Sequence, residues 1–249
     1  MLRTMTSTRR AADAGLPLSG GGKDHAIEVA GTTVLADPAG AVYWPDERLL
    51  IVADLHLEKG SAFARRGVLL PPYDTAATLA RLARLVDRYG PHLVVALGDS
   101  FHDGGGPYRM LAADRAALTV LQRGRDWLWI AGNHDPDPTD GVGGSFAATL
   151  AVGPLVFRHE PGDHGASAGE IAGHLHPVAR VARRGRAVSR RCFAGDGHRL
   201  LMPAFGAFAG GLNVRAGAIA RLFGPLAFTA HMLGPHRLYA VGAEQCLPD

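Results

Sequence analysis

Five short polar clusters contain residue types that bind divalent metal ions. They are Asp54-Leu55-His56, Gly98-Asp99-Ser100-Phe101-His102, Gly132-Asn133-His134-Asp135, Phe157-Arg158-His159-Glu160 and Gly173-His174-Leu175-His176. Carboxylate oxygens, amide oxygens and imidazole nitrogens together suit manganese, iron or zinc. Taken alone, each cluster also has an ordinary structural interpretation, such as a capped turn or a structural histidine. Their occurrence together, each directly after an apolar segment, predicts a metal site.

The spacing within two clusters favours a common target for their side chains. Asp54 and His56 are two residues apart, as are His174 and His176. In an extended segment, side chains at positions i and i+2 point to the same side, so both members of a pair can reach one place. Three of the five clusters begin with a glycine, which allows the backbone to turn sharply after a strand.

The apolar segments between the clusters predict the elements that position them. Continuous or alternating apolar patterns indicate strands over residues 32–35, 41–44, 49–53, 93–97, 127–131, 155–158 and 170–172. Helical spacing of apolar residues predicts helices over residues 74–89 and 108–122, and closely spaced turns beyond residue 177 favour hairpins. This order predicts an α/β layered fold with mixed sheets, in which loops at the carboxyl ends of strands carry the ligands.

The whole chain has the composition of a folded globular protein. Of its 249 residues, 47% are hydrophobic and 20% are charged, which excludes general disorder. The sequence predicts a flexible tail over residues 1–24 and a single domain over residues 25–249. No apolar run reaches the roughly 18 residues of a membrane helix, and the N-terminal region lacks the apolar core of a secretory signal. Cys192 and Cys246 show no paired spacing, so we expect a cytoplasmic protein without a disulfide framework.

The five clusters, in this order, resemble the calcineurin-like metallophosphoesterase superfamily. Its pattern is D-x-H, G-D-x-x-(D/H), G-N-H-(D/E), a single H and G-H-x-H, and every part is present between residues 54 and 176. The resemblance implies an α/β fold, namely a four-layer α/β/β/α sandwich with two mixed β-sheets. It also implies a phosphoester hydrolase with two divalent metal ions, for which we expect Mn²⁺, with Fe, Zn or Mg as alternatives.

The same resemblance implies roles for individual residues. One ion would bind Asp54, His56, Asp99 and His176, and the other would bind Asp99, Asn133, His159 and His174, so that Asp99 bridges them. His134 would face the substrate and protonate the leaving oxygen, and Asp135 would orient its ring. His102, the last residue of the second cluster, would either support the site or contact the substrate.

Flanking residues resemble a narrower group, the bacterial ligase-associated DNA-damage-response endonucleases (the PdeM group). The similarity is carried by residues 55–67, 191–193, 201–206 and 210–213, so that it covers nearly all of residues 30–245. It implies a DNA phosphodiesterase or endonuclease that acts in repair. It also implies an association with an ATP-dependent DNA ligase, a helicase and an exonuclease.

Arginines near the clusters are candidates for binding an anionic substrate. Arg65 and Arg66 follow the first cluster, and a denser run that includes Arg183 and Arg184 follows the last one. No acidic residue interrupts residues 178–191, which favours phosphate contacts, although such a run is also typical of a solvated surface. The run is poor in aromatic residues, so it does not indicate a base-stacking platform.

The sequence leaves three functions open. The leading prediction is a metal-dependent phosphodiesterase that binds DNA through its phosphates. A phosphodiesterase or phosphatase of small nucleotides, including cyclic ones, is the alternative, because a net charge of +3 permits nucleic acid without requiring it. A metallophosphoesterase-fold scaffold for protein contacts is the third, and it is disfavoured because all seven ligand candidates and His134 are present.

Overall fold

The chain folds into a succession of strands with helices between the earlier ones. The computed structural model describes residues 2–4, 25–71, 73–137, 140–162, 169–183, 185–224 and 227–249. The strands are β1 (Leu2–Thr4), β2 (His25–Val29), β3 (Thr32–Ala36), β4 (Val42–Trp44), β5 (Leu49–Ala53), β6 (Leu93–Leu97), β7 (Asp126–Ile130), β8 (Ser145–Ala147), β9 (Thr149–Val152), β10 (Leu155–Arg158), β11 (Gly169–Ala172), β12 (Pro177–Arg183), β13 (Arg186–Gly195), β14 (Arg199–Leu201), β15 (Leu212–Asn213), β16 (Thr229–Leu233) and β17 (Leu238–Gly242). The helices are α1 (Lys59–Ala64), α2 (Asp74–Tyr89), α3 (Gly106–Arg109), α4 (Ala112–Gln122) and α5 (Gly217–Phe223), and a 3₁₀ turn follows at Ala243–Gln245. Among the described helices, none combines the length and apolar character needed to span a membrane.

The first sheet contains β2 to β8 in chain order. Strands β2 to β5 pair in antiparallel fashion, whereas β5 to β8 are parallel. Ala53 pairs with Leu97, and Leu97 pairs with Ile130. These are the last residues of β5, β6 and β7, so the three loops that follow them leave the same edge of the sheet.

The second sheet has the order β1-β9-β10-β11-β14-β13-β12-β15, with β16 pairing with β13 and β17. Strands β10, β11 and β14 are parallel, whereas β12 with β13 and β16 with β17 form antiparallel pairs. Arg158 and Ala172, the last residues of β10 and β11, pair with each other. The loops that begin at His159 and Gly173 therefore also leave a common edge.

Three hydrophobic clusters join the sheets and helices into layers. Ile51 of β5 and Phe157 of β10 are fully buried between the two sheets. On the other face of the first sheet, Val52 lies in one cluster with Leu82 of α2, because successive side chains of a strand face opposite sides. On the outer face of the second sheet, Phe223 of α5 belongs to the third cluster. The result is an α/β/β/α sandwich with two mixed sheets, which confirms the predicted fold.

The helix predicted over residues 108–122 is in fact two helices. α3 ends at Arg109, and two residues of extended backbone separate it from α4. Arg109 donates hydrogen bonds to Asp103 and Ser61, which holds α3 against α1, whereas α4 packs on α2. Since one straight helix could not make both contacts, the chain bends between them.

The predicted tail, residues 1–24, lies almost entirely outside the described residues. Within it, only β1 is described, and this strand pairs in parallel with residues 149–151 of β9 at the edge of the second sheet. Residues 1 and 5–24 are not among those described. The tail and its boundary at residue 25 therefore stay a prediction.

Candidate metal centre

Left-handed turns at the strand ends direct the predicted ligands toward one another. Asp54, His56, Asp99, His174 and His176 have φ angles of 53°, 42°, 44°, 67° and 45°. The two residue pairs with i, i+2 spacing are thus not extended, and strand alternation is the wrong explanation for their convergence. The side chains converge because the backbone turns sharply at these residues, and Asp and His tolerate such turns better than most residues do.

The first group of possible ligand atoms belongs to Asp54, His56 and His176. Nε2 of His176 lies 3.3 Å from Oδ1 of Asp54 and 3.4 Å from Nε2 of His56. The Asp54 carboxylate is fully buried, and its two oxygens accept the backbone N–H of His174 at 3.2 and 3.1 Å. That hydrogen bond joins the end of β5 in the first sheet to the loop after β11 in the second.

The second group belongs to Asp99, Asn133, His159 and His174. Nε2 of His159 lies 2.9 Å from Oδ1 of Asn133, 3.1 Å from Nδ1 of His174 and 3.4 Å from Oδ1 of Asp99. Nδ1 of His174 is in turn 3.0 Å from Oδ1 of Asn133. Four possible ligand atoms therefore surround one point, and they come from four loops, two at the edge of each sheet.

Asp99 connects the two groups. Its Oδ1 faces His159, whereas its Oδ2 lies 3.9 Å from Nε2 of His56 in the first group. The backbone N–H of His134 donates to Oδ1 at 2.9 Å and fixes the carboxylate. The structure thus brings the seven residues together in the two sets that the resemblance implies, with Asp99 shared between them.

The contacts of His159 indicate that a cation fits this place. Nδ1 of His159 lies 3.1 Å from the carbonyl oxygen of Leu97, so this nitrogen carries the ring hydrogen and donates it. Nε2 therefore presents its lone pair to the oxygens of Asn133 and Asp99. Electron-rich atoms at such distances repel one another unless a positive ion lies between them. Ligand atoms about 2.0–2.2 Å from one ion are themselves about 3.0–3.4 Å apart, which agrees with the observed spacings.

Burial favours the neutral, metal-binding form of two of the imidazoles, those of His56 and His174. It lowers the pKa of His56 to about 2, with smaller contributions from His176 and Lys59. Burial also lowers the pKa of His174, and the neighbouring His159 is the next contribution. A neutral imidazole offers its lone pair to a metal ion without first losing a proton.

His134 is oriented by the backbone, and the role predicted for Asp135 is wrong. Nδ1 of His134 donates to the carbonyl oxygen of His102 at 2.8 Å, and its Nε2 lies 3.9 Å from Oδ2 of Asp99. The His134 side chain is 39% exposed, so Nε2 can reach a substrate.

Asp135 does not orient the His134 ring but accepts the backbone N–H of Phe101 at 3.0 Å, which orders the loop after β6. Burial raises the pKa of Asp135 to about 6, and this hydrogen bond opposes the rise.

His102 and Arg66 lie on the side of the centre that α1 forms. The His102 ring stacks on the His134 ring with their centroids 5.2 Å apart, and it lies 5.4 Å from the Phe63 ring. Cζ of Arg66 is 6.0 Å from the centroid of Phe63. Arg65 is exposed as well, but it makes no such ring contact with any described residue.

The sequence motifs do not single out Lys59 and Phe63, which the structure places beside the centre. Nζ of Lys59 lies 5.8 Å from the Phe63 ring centroid. Lys59 and Phe63 occupy positions i and i+4 on α1, and Arg66 lies in the turn two residues after the helix ends. That spacing, directly after the first metal cluster, is the signal that could have identified them.

The arginine-rich run forms a β-hairpin that leads away from the centre. β12 and β13 pair from Val178 with Arg191 to Arg183 with Arg186. Arg183 is seven residues beyond His176. Roughly 20 Å of strand therefore separates the two, at about 3.3 Å per residue. Arg184, which the sequence predicts as a substrate contact together with Arg183, lies outside the described residues.

Two structural findings change the interpretation of this hairpin. Arg191 is partly buried and donates to three carbonyl oxygens of the loop at residues 204–209, so it holds that loop in place. Tyr239 of β17 is 38% exposed, and it lines a groove of about 620 Å³ together with Arg183 and Arg190. An aromatic side chain thus lies beside the arginines, although the run itself contains none.

Comparisons with known proteins agree with this geometry. The family model described as calcineurin-like phosphoesterase matches residues 47–178, which is more than half of the chain. The crystal structure of Pseudomonas putida nuclease MPE matches with a TM-score of 0.67 and 27% sequence identity, covering 88% of this chain and 100% of that chain. No curated protein matches the sequence significantly.

A more distant solved structure is that of Yfce, a phosphoesterase from E. coli. It matches with a TM-score of 0.35 and 15% identity, covering 80% of this chain and 96% of that chain, and this likeness is too weak to support an argument. The family match and the two groups of clustered ligand atoms carry the conclusion. The chain belongs to the calcineurin-like phosphoesterase family, and it is a metal-dependent phosphoesterase with two candidate metal sites.

Proposed function

We propose that the protein is a two-metal phosphodiesterase that cleaves DNA. The observation that carries this proposal is the pair of ligand groups joined through Asp99, beside the accessible Nε2 of His134. A carboxylate shared by two groups suits a pair of adjacent ions, an arrangement that phosphatases and nucleases use. The structural neighbour at 27% identity is a nuclease, which supports DNA as the substrate.

Mn²⁺ is the metal that we propose for both groups. One ion would be held by Asp54, His56, Asp99 and His176, and the other by Asp99, Asn133, His159 and His174. This set offers carboxylate, amide and imidazole but no thiolate, which fits manganese and leaves Fe, Zn and Mg as alternatives. When bound, such ions lower the pKa of water and offset the negative charge of phosphate oxygens.

His134 is the residue of this chain that is placed to move a proton. Its Nδ1 hydrogen is engaged by the carbonyl oxygen of His102, so a second ring hydrogen on Nε2 is the one that would pass to the leaving oxygen and leave the ring neutral. The His56 ring stands edge-on to it at 5.3 Å, and the His102 ring stacks on it. Because these neighbours fix the His134 ring, the proton would reach the leaving oxygen from one direction.

Two cationic surfaces would bind the DNA backbone. Arg65 and Arg66 are exposed after α1, and Arg183 with Arg190 lines the groove between the two hairpins. Arginine pairs with phosphate in a bidentate manner. The roughly 20 Å between the hairpin tip and the centre spans several nucleotides, at about 3.4 Å or more each. A polynucleotide would reach both surfaces, whereas a single small nucleotide would not.

The proposed role extends to DNA repair in the cytoplasm, with an ATP-dependent DNA ligase, a helicase and an exonuclease. Support for this role comes from the resemblance of residues 55–67 and of the later segments. Deleting the gene should sensitise cells to DNA damage, and a gene copy encoding His134→Ala should not restore resistance. Normal survival of the deleted strain under several kinds of damage would contradict the role.

A substrate panel tests the central proposal. Mn²⁺-loaded protein is incubated with single-stranded DNA, double-stranded DNA, 2′,3′-cyclic nucleotides and bis(p-nitrophenyl) phosphate. We expect DNA cleavage that stops on chelation and in His134→Ala. Hydrolysis of cyclic nucleotides and the chromogenic diester without DNA cleavage would favour the small-nucleotide alternative. Partner binding that needs no metal, in a protein that hydrolyses nothing, would favour the scaffold.

A further inference from the structure

Helix α1 and the turn that follows it present a cationic and aromatic surface beside the metal centre. Nζ of Lys59 lies 5.8 Å from the centroid of the Phe63 ring, and Cζ of Arg66 lies 6.0 Å from it. Within the described parts of the chain, neither cation has a carboxylate oxygen within 4.0 Å. Two positive charges thus gather near one ring without a direct ion pair, although the Asp74 carboxylate is close enough to Lys59 to oppose the lowering of its pKa.

This surface adjoins the proposed proton donor. The Phe63 ring lies 5.4 Å from the His102 ring, and the His102 ring stacks on His134 at 5.2 Å. Phe63 is therefore one ring beyond the group that faces the reacting phosphate.

The segment after α1 exposes large apolar side chains. Val68 and Leu69 are 49% and 86% exposed, and Tyr73 is 70% exposed. The backbone N–H of Val68 donates to the carbonyl oxygen of Phe63 at 3.1 Å, so the segment folds back onto α1. Isolated exposed apolar residues are common, but a group of them next to a polar centre is typical of a binding surface.

We propose that Lys59, Phe63 and Arg66 form a subsite for the nucleotide adjoining the scissile phosphate. The subsite rests on the proposed function, because it requires a polynucleotide substrate. Lys59 and Arg66 would bind the phosphate of that nucleotide, and the Phe63 ring would pack on its base. A solvated helix face would account for the two cations, but it gives no reason for a partly exposed aromatic ring between them and the histidines.

Phe63→Ala tests the subsite by comparing two substrates of the Mn²⁺-loaded enzyme. One is a fluorescein-labelled oligonucleotide, and the other is bis(p-nitrophenyl) phosphate, which has no adjoining nucleotide. The quantity compared is kcat/KM for the oligonucleotide divided by kcat/KM for the chromogenic diester. Losing one stacking contact should lower this ratio about tenfold, chiefly because KM for the oligonucleotide rises. Phe63→Tyr keeps the ring and should restore the ratio. If Phe63→Ala fails to fold, Phe63→Leu replaces it, because leucine keeps apolar packing without an aromatic face.

Matched controls separate this subsite from general effects on charge and packing. Arg66→Ala should lower the ratio, whereas Arg123→Ala, which removes an exposed arginine after α4, should not. Val120→Ala removes exposed apolar surface on α4 and should also leave the ratio unchanged. A wild type that cleaves the oligonucleotide, with unchanged ratios in Phe63→Ala and Arg66→Ala, would overturn the subsite and leave the proposed function standing. A wild type that hydrolyses the chromogenic diester but no DNA would overturn both.

Discussion

Replacing Asp99 by asparagine should affect the metal-free and metal-loaded protein in opposite directions. The Asp99 side chain is only 4% exposed, and its two oxygens face different ligand groups. Asparagine keeps an oxygen that accepts the backbone N–H of His134 and nearly the same volume, but it carries no charge. Asp54 and Asp99 both face the His159 ring, so removing one charge relieves repulsion in the metal-free protein. We therefore expect metal-free Asp99→Asn to be at least as stable as the metal-free wild type.

The metal-loaded protein should lose stability on the same substitution. An ion present at a hundredfold its Kd stabilises a protein by about 2.7 kcal/mol, so two ions contribute about 5 kcal/mol. In a domain of this size, 1 kcal/mol shifts Tm by about 2–4 °C, so Mn²⁺ should raise the wild-type Tm by roughly 10–20 °C. Because Asp99 faces both groups, Asp99→Asn should lose most of this increment and not merely half of it.

Thermal unfolding with and without Mn²⁺, beside metal analysis of dialysed protein, measures this effect. His134→Ala is the matched control, because His134 lies next to the groups without belonging to either. It should keep the Tm increment and both ions while its kcat falls about 100-fold or more, as expected for loss of a proton donor. An Asp99→Asn protein that retains two ions and the full increment would refute the shared ligand. A His134→Ala enzyme of normal kcat would remove that residue from the reaction.

Three further predictions concern packing, DNA binding and pH. In Gly132→Ala, the new Cβ would lie 2.1 Å from the backbone nitrogen of Asp99, so we expect metal loss and destabilisation by about 1–3 kcal/mol in thermal unfolding. Gly104→Ala is the control: no atom lies within 4 Å of the new Cβ, so the free energy of unfolding should hardly change. Arg183→Ala should weaken DNA binding and reduce the slope of log K against log salt by about one in a fluorescence titration, whereas an unchanged slope would exclude this residue as a phosphate contact. Burial lowers the pKa of His231 to about 4, and the charge of His25 is the second, smaller cause. The folded protein therefore favours the neutral ring, and stability should be lost as pH falls from about 6.5 toward 4. His231→Gln should lose less Tm between pH 7 and pH 4.5 than the wild type, and equal losses would show that another group governs acid unfolding.

The convergence of the candidate ligands could be predicted because residue type and strand order are both visible in the sequence. Asp54 and Asp99 each follow an uninterrupted apolar run, and such runs are typical of buried parallel strands. The carboxyl ends of parallel strands share one edge, so their loops converge whatever the length of the helices between them. The pairing of Ala53 with Leu97 places both loops at that edge. The sheets therefore follow from hydrophobic patterning, and the position of the centre follows from the sheets.

The finer geometry could not be predicted because it depends on contacts between distant parts of the chain. Asp135 is adjacent to His134 in sequence, but its carboxylate accepts a hydrogen bond from Phe101 in the loop after β6. The position of α1 depends on Glu58, whose backbone N–H donates to the Thr75 hydroxyl of α2 at 2.9 Å. Local patterns contain no information on such pairings, so the ring orientation of His134 and the packing of α1 against α2 became apparent only from the structure.

Left-handed turns and metal binding require the same residue types in this centre. Asp and His adopt positive φ more readily than branched or bulky residues, and they also supply the ligand atoms. Glycine would ease the turn at Asp54 or His176 but would remove a ligand, and valine would lose both. Positive φ alone does not mark the site, because Ala30 and Arg48 share it elsewhere in the chain. What distinguishes the centre is that its left-handed residues bring electron-rich atoms to within 3.3–3.4 Å of one another. A left-handed residue costs about 1–2 kcal/mol, and a bound cation would offset this cost together with the repulsion between ligands. The ions would thus complete the folding of the loops that bind them.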